Sequence, residues 1–486
     1  MASFEELQQA RKQKLDLLIT GGVNPYPASS KRDTRIVDIG AQFASLEKEQ
    51  KTITIAGRIL SLRGQGAIIF ANITDGGAIF QLLFKRDVLG DEVLSFFEST
   101  IDIGDFIDAT GTVFLTKTNQ QTLQVSSWQM LTKSLAPLPE KWHGLENYEE
   151  RFRKRYLDLL LNPEERELFI KKAKFWEVTR TFLKERGFLE VETPTLEITT
   201  GGAEARPFKT HHNDFDLDVY MRISVGELWQ KRLMAAGFER TFEIGRAYRN
   251  EGSSPEHVQE FTNMEFYAAY MNLDEGKKMV RDLYIKIGKE VFGKTIFETR
   301  GHTFDLESEW AEIDYAQEIE NRTGIDIFSA TEDEMIAKLT SLGVTYEGKN
   351  RERLTDSLWK YCRKQISGPI YLINHPKLVA PLSKTNPLDP RKTEMFQVII
   401  GGSEIGRAHA ELNDPIDQRE RFEKQQTLVT EGDEEAMMAD YDYVEMLEHG
   451  MPPTFGFGFG ERFFSFLADK PIRETQLFPL MKPKEK

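Results

Sequence analysis

Apolar positions change their spacing several times along the 486-residue chain, and each change marks a structural boundary. Phe4, Leu7, Leu15 and Leu18 recur at near-helical spacing, and Gly21-Gly22 followed by Pro25 supplies stop signals. From about residue 50 the period falls to two. Ile53, Ile55 and Ile59 mostly alternate with smaller or polar residues, Ala67 to Ile73 is a compact apolar run, and Asp75-Gly76-Gly77 makes a turn. Ile79 to Phe84, Phe106 to Val113 and Thr122 to Val125 read as further strands. Five short strands in about 80 residues predict a small closed barrel of the OB type, with an ordinary small β-sandwich as the alternative.

Leu135 to Pro139 (LAPLP) is a stiff connector, and Arg151 to Arg155 then places four cations in five residues. Such a run is a solvated helix face or, beside a linker, a grip for RNA. Phe169, Ala173, Trp176 and Leu183 predict an amphipathic helix ended by Gly187, and FLEVETP predicts a strand stopped by Pro194. Beyond it strands and helices mix without regular βαβ alternation, which predicts a large α+β domain on an antiparallel sheet. Residues 300–365 are more polar and read as a helical insertion. The expected layout is a helical extension over 1–45, a barrel over 46–135, a linker over 136–165 and the α+β domain over 166–486.

Composition narrows the function classes. Lys and Arg number 63 against 78 Asp and Glu, a net charge of −15, which excludes a basic nucleic-acid coat but not a local basic surface. No apolar run approaches the ~20 residues of a membrane span. The single cysteine, Cys362, excludes a disulfide framework and any multi-thiolate metal site, so the expected compartment is cytoplasmic. Cys362 itself, in WKYCRKQ, reads as a partly buried structural thiol. His211-His212 would point to opposite faces of a strand, so no shared metal is expected there. GxxxxGK[ST], HExxH and GxSxG are all absent.

Two arginine-centred segments carry more. In FEIGRAYRNEGSSPEHVQEFTNMEFY, residues 242–267, a strand ends at Arg249-Asn250-Glu251, Gly252 to Pro255 forms a loop, and Gln259 to Tyr267 returns. This predicts a hairpin with an arginine at its mouth, suited to phosphate by its bidentate fork. In TFGFGFGERFFSFL, residues 454–467, three alternating glycines precede Glu461-Arg462. Glycines there permit close approach of a ligand, and the arginine points to a polyphosphate.

Together these segments resemble two of the three signature motifs of class II aminoacyl-tRNA synthetases, and Phe175 to Pro194 matches the third. At finer grain the chain is similar to the lysyl-tRNA synthetases, through KLDLLITGGVNPYP, LAPLPEKWHGLENYEERFRKRYLDLL, GGAEARPFKTHHNDFDLDVYMRIS, ELNDPIDQRERFE and MPPTFGFGFGERF. The resemblance implies ligation of L-lysine to tRNA(Lys) through a lysyl-adenylate, with ATP as substrate and Mg²⁺ as cofactor. A homodimer joined near Pro194 is also implied. It implies that Arg249 and Arg462 are catalytic and hold ATP phosphates. Glu251 and His257 would lie over ATP, Phe261 would stack on adenine, and Glu404 would bind the metal. Lysine would be held by Gly202, Glu227, Arg249, Glu265, Tyr267, Arg407, His409 and Glu411. In the barrel, Arg63, Phe70 and Gln81 would read a U-rich anticodon, by stacking and base-edge hydrogen bonds.

Four departures from the family pattern stand out. Arg407 and His409 replace an asparagine and an aromatic residue, and Gln397 stands where a second metal-binding glutamate is usual. GFGFGER lacks one residue before its acid–arginine pair, and RISVGELWQ carries one more than the common form. An asparaginyl or aspartyl specificity is the first alternative. A paralogue that binds RNA or modifies protein is the second. The paired glutamates argue against the former, and the retained arginines and the barrel against the latter.

Overall fold

The computed structural model describes residues 3–139, 147–203, 205–252, 254, 256–346, 348, 350–430 and 436–484. Part of the expected linker, together with Glu204, Ser253 and Pro255 of the motifs above, lies outside the described residues. The chain divides into two compact units, Met1–Pro163 and Glu164–Lys486.

In the first unit the strands Thr52–Gln65, Ile68–Thr74, Ile79–Lys85, Gln121–Thr132 and Phe106–Leu115 join in that order into a closed barrel. Alternation explains the register: Ile69, Ala71 and Ile73 fill the interior while Phe70 and Asn72 face outward, half-buried. The first 45 residues are not a separate layer. Leu18, Ile36, Ile39 and Phe43 are buried in one cluster with barrel residues Ile55, Leu82 and Val113. The helix Phe4–Thr20 forms where expected, but its Phe4 and Leu7 are exposed. It is anchored instead by buried Arg11, which donates to the carbonyls of Ser134 and Ile103 at 3.1 and 2.8 Å. The cationic run at 151–155 engages acids: Arg151 and Arg155 both meet Asp158, and Arg153 meets Glu149.

The second unit is built on an eight-stranded sheet. Its order is Ala311–Asp314, Ile370–Ile373, Met395–Ile400, Ser403–Ala410, Thr454–Gly460, Glu260–Ala269, Arg240–Tyr248 and Leu189–Glu190. Pairing is antiparallel except at the two edges. The expected insertion is narrower than 300–365. Ala311–Asp314 looks polar because it is an edge strand, where charge is tolerated, and the helical part begins at Tyr315. Cys362 lies fully buried in that part, its thiol pushed up to about 12 by burial.

The strand Thr454–Gly460 shows how sequence makes two faces. With a period of two, Phe455, Phe457 and Phe459 go to one side and Gly456, Gly458 and Gly460 to the other. The phenylalanines enter the main core beside Phe175, Tyr284 and Phe463, with ring centroids as close as 5.5 Å between Phe459 and Phe463. Burial of each ring contributes about 2–3 kcal/mol. The helix Pro163–Lys184 covers this core with Phe175, Val178, Phe182 and Leu183. Of the stripe expected to face inward, only Leu183 is fully buried. Phe169, Ala173 and Trp176 line an open apolar groove with Tyr248 and Phe478. The helix thus has two apolar faces rather than one.

Candidate active site

Opposite the phenylalanine core, the same sheet floors a cavity of about 350 Å³. Register places its side chains in rows. Gln397 is paired with Arg407, Arg407 with Gly458, Gly458 with Glu265 and Glu265 with Glu243. The neighbouring row runs through His409, Gly456 and Tyr267. Residues 261, 263, 265 and 267 share the cavity face of their strand, while Met264, Phe266 and Ala268 belong to the core. A β-bulge between Val398 and Ile399 shifts the register, so Glu404 reaches the same cavity as Arg407 despite a spacing of three. The glycines make room. A Cβ on Gly456 would lie 2.1 Å from Glu411 Oε1, and one on Gly202, at φ +88°, would lie 2.5 Å from Ser224 Oγ.

One end of the cavity is anionic. Glu227, Glu265 and Glu411 are all buried. Glu265 accepts from Val225 N at 2.8 Å, Asn263 Nδ2 at 2.9 Å and Tyr267 OH at 3.1 Å. Fully buried Lys231 lies 2.9 Å from Glu227 Oε1 and 2.6 Å from Glu411 Oε2. Burial opposes the charge on Lys231, but these two carboxylates outweigh it and hold the amine protonated. Three carboxylates against one cation leave two negative charges unbalanced. Burial, reinforced by Glu227, pushes the Glu265 carboxyl up to about 7 and that of Glu411 up to about 8.

The other end is cationic. Arg249 follows the strand Arg240–Tyr248, donates to Ile223 O at 3.3 Å and lies 5.2 Å over the Phe261 ring. Arg462 opens the helix Arg462–Leu467. Its neighbour Glu461 turns away into the fold, 2.6 Å from Lys172. His257 Nδ1 lies 2.8 Å from Ser254 Oγ, and burial next to Arg462 holds its pKa down. Glu404 is 2.8 Å from Arg363 and accepts from Trp359 Nε1 at 3.2 Å. Although burial opposes it, Arg363, Arg407 and Arg462 keep that carboxyl below its usual range. The Gln397 amide is oriented by its partners: its oxygen accepts from Arg407 Nη2 at 2.8 Å and Nε at 3.2 Å. Its nitrogen donates to His375 Nε2 at 3.2 Å. His409 Nδ1 is hydrogen-bonded to Ser383 Oγ.

The cavity brings together Gly202, Glu227, Arg249, Glu251, His257, Phe261, Glu265, Tyr267, Gln397, Glu404, Arg407, His409 and Arg462. Glu411 sits behind it, against Gly456 and Lys231. Two sequence models match the chain: tRNA synthetases class II (D, K and N) over residues 147–482, and OB-fold nucleic acid binding domain over 53–131. The chain belongs to the class II tRNA synthetases (D, K and N). It is 40% identical to the lysine–tRNA ligase of Thermotoga maritima, over 99% of this chain and 97% of that one. The ligase of Roseiflexus sp. is 42% identical over 99% and 100%, and that of Halalkalibacterium halodurans 40% over 99% and 98%.

Several residues of this synthetase site escape a reading of the motifs alone. Lys231 carried a usable signal, four residues after Glu227 on one helix. Arg363 and His375 carried none, because they meet the lining residues Glu404 and Gln397 only through the insertion and the fold of the sheet. In the barrel, Arg63 is paired with Phe70 across two strands, and Gln81 with Asn72 across the next. All three expected residues therefore share one outer face. Arg63 is exposed, and Gln81 Oε1 accepts from Thr122 Oγ1 at 2.8 Å.

Proposed function

We propose that the chain ligates L-lysine to tRNA(Lys) at the expense of ATP. A lysine carboxylate oxygen attacks the α-phosphorus of ATP, the Pα–O–Pβ bond breaks, and pyrophosphate leaves with the bonding pair. A hydroxyl of the terminal tRNA ribose then attacks the lysyl carbonyl, and AMP leaves. Neither step needs a protein nucleophile; positioning and charge stabilisation supply the rate. Arg249 and Arg462 hold the phosphates, Glu251 and His257 lie over the nucleotide, and Phe261 stacks on adenine. Arg407 stands at the junction of the substrate carboxylate and the α-phosphate, beside His409. Gly202 lets the substrate backbone approach.

The observation that carries the lysine assignment is the charge count at the anionic end. Glu227, Glu265 and Glu411 exceed Lys231 by two charges, and lysine brings two ammonium groups. Asparagine or aspartate would leave at least one buried carboxylate without a cation, at a cost of several kcal/mol. ATP–pyrophosphate exchange across the twenty amino acids tests this. Lysine alone should support rapid exchange, and exchange led by asparagine or aspartate would overturn the assignment.

The Mg²⁺ expected at Glu404 meets a carboxylate already engaged by Arg363 and Trp359, beside a Gln397 engaged by Arg407. That donor set does not fit a protein-held divalent ion, so Mg²⁺ enters on the phosphates of the nucleotide. The apolar groove along Phe169, Trp176 and Phe478, where Phe478 is 72% exposed, supports a homodimer seam. Among the described residues no helix is long and apolar enough to cross a membrane, and the substrates imply work in the cytoplasm. The outer barrel face at Arg63, Phe70 and Gln81 takes the anticodon. Phe70→Ala and Gln81→Ala should each weaken tRNA charging while leaving pyrophosphate exchange intact, and the loss of a stacked base at Phe70 should cost about 1–3 kcal/mol. Equal loss of exchange would remove the anticodon assignment.

A further inference from the structure

The cationic end of the cavity has a charge of its own that the motifs do not announce. Arg363, Arg407 and Arg462 all act on the carboxylate of Glu404, which they outnumber. The partner of Arg407 matters most. Gln397 receives both Nε and Nη2 of the guanidinium, and so fixes its plane without cancelling its charge. A glutamate at the same place would make the same two hydrogen bonds and neutralise the cation. The amide of Gln397 is itself tied back to His375, so the pair is held from behind. Among the described residues, no set of three or more His, Cys, Asp and Glu side chains is arranged to hold a metal ion. A divalent ion approaching Glu404 would have to displace Arg363 at 2.8 Å and face two further guanidiniums.

We propose that this site has exchanged a protein-held divalent cation between positions 397 and 404 for the guanidinium of Arg407, fixed by Gln397 and flanked by Arg363 and Arg462. The proposal rests on the reading that ATP binds here with its phosphates at the arginine end. Arg407 then supplies fixed positive charge where the substrate carboxylate meets the α-phosphate. The one metal ion in the complex is the ion that travels with the nucleotide. Metal-free ATP is also a ligand, since the guanidiniums of Arg363, Arg407 and Arg462 are in place before the nucleotide arrives.

Two binding measurements on the full chain test this without relying on turnover. The first counts Mn²⁺ by the loss of its free paramagnetic signal, with and without a non-hydrolysable ATP analogue. The second measures ATP affinity calorimetrically in excess EDTA and in excess Mg²⁺. The wild-type protein should hold no Mn²⁺ alone and one per site with the analogue. Its ATP affinities with and without metal should agree to within about tenfold. Gln397→Glu should weaken metal-free ATP by about tenfold or more, because the new carboxylate neutralises Arg407. Gln397→Glu combined with Arg407→Asn should gain a second Mn²⁺ in the presence of the analogue. Two Mn²⁺ per wild-type site, or ATP that binds with Mg²⁺ but not in EDTA, would overturn the exchange of metal for guanidinium. If ATP binds in neither condition, the nucleotide reading fails first and the inference falls with it. The wild-type counts decide the matter even if a variant does not fold, which circular dichroism would reveal.

Discussion

The two ends of the cavity share one sheet and one row of residues, yet they solve opposite problems by different means. At the anionic end the charged groups are buried and held by close partners: Glu265 accepts from Val225, Asn263 and Tyr267, and Lys231 is paired with Glu227 and Glu411. At the cationic end the guanidiniums reach in from a strand end, a helix start and a bulged strand, and Arg407 stays open to the cavity. A carboxylate out of water either finds a counter-charge or takes a proton, and the raised pKa values of Glu265 and Glu411 express that demand. A guanidinium is weakly hydrated and stays charged, so a phosphate site can remain open while it waits. The anionic end is prepared by burial, the cationic end by fixed charge.

Removing fixed charge should have the largest effect. Arg249→Ala and Arg462→Ala should each lower pyrophosphate exchange by about 10²–10³-fold, the usual loss for a group that meets charge developing in the transition state. Folding should survive, since both side chains line the cavity rather than the phenylalanine core. A folded variant with exchange within a few-fold of the parent would show that the cationic end does not hold the phosphates. Glu265→Gln comes next. It leaves a buried substrate ammonium short of a counter-charge, and should raise the KM for lysine by about 10²-fold, near 3 kcal/mol, with a smaller change in kcat. An unchanged KM would place the ammonium elsewhere.

Lys231→Met attacks the preparation of the anionic end rather than its ligand. Glu227 and Glu411 would face each other without a cation, at a cost to folding of about 3–5 kcal/mol. Protonation relieves like charges, so the loss in melting temperature should be larger at pH 8 than at pH 6. A variant as stable as the parent at both values would mean that Lys231 is replaceable, and that burial alone keeps the carboxylates apart.

The same contrast explains what was legible in the sequence. Arg249 and Arg462 stand out because one precedes a loop and the other follows a glycine pattern, each with a local physical meaning. The alternating glycines of 454–460 are weak evidence alone, and become decisive only when register sets Gly458 against Glu265 and the fold brings Glu411 up to Gly456. The barrel was readable because a period of two is local. Lys231, close to Trp229 and Arg232 on one helix, looks like surface except for its spacing of four from Glu227. The ion pair with Glu411 spans 180 residues of chain, from 231 to 411, and no local pattern reports it. The stripe Phe169, Ala173 and Trp176 marks an apolar face, but hydrophobic spacing does not say what covers it: Trp176 stacks on Phe459 of the core while all three also line the groove. Ala311–Asp314 was lost in the insertion because an edge strand may be as polar as a helix surface.

The smallest expected effect is a proton count, and it reports on the anionic end most directly. In the empty protein Glu265 sits at about 7 and Glu411 at about 8, both above the ordinary 4.5 of a glutamate. Between pH 4.5 and 8 the folded empty protein therefore holds more protons at these groups than the unfolded chain does. Their contribution to stability is then present at low pH and falls as pH rises through 7 and 8. Bound ammonium groups reverse the balance by favouring the ionised carboxylates, so lysine should expel protons when it binds near pH 7. Its affinity should fall as pH drops below 7, by no more than about tenfold per pH unit for each proton released. Calorimetry in two buffers of different ionisation enthalpy gives the number directly. A value between zero and two is expected at pH 7, reduced in Glu265→Gln. Zero protons in the parent protein would mean that both carboxylates are already ionised in the empty pocket. Lys231 would then balance more charge than its two contacts imply, and the two ends of the cavity would differ in sign but not in how they are prepared.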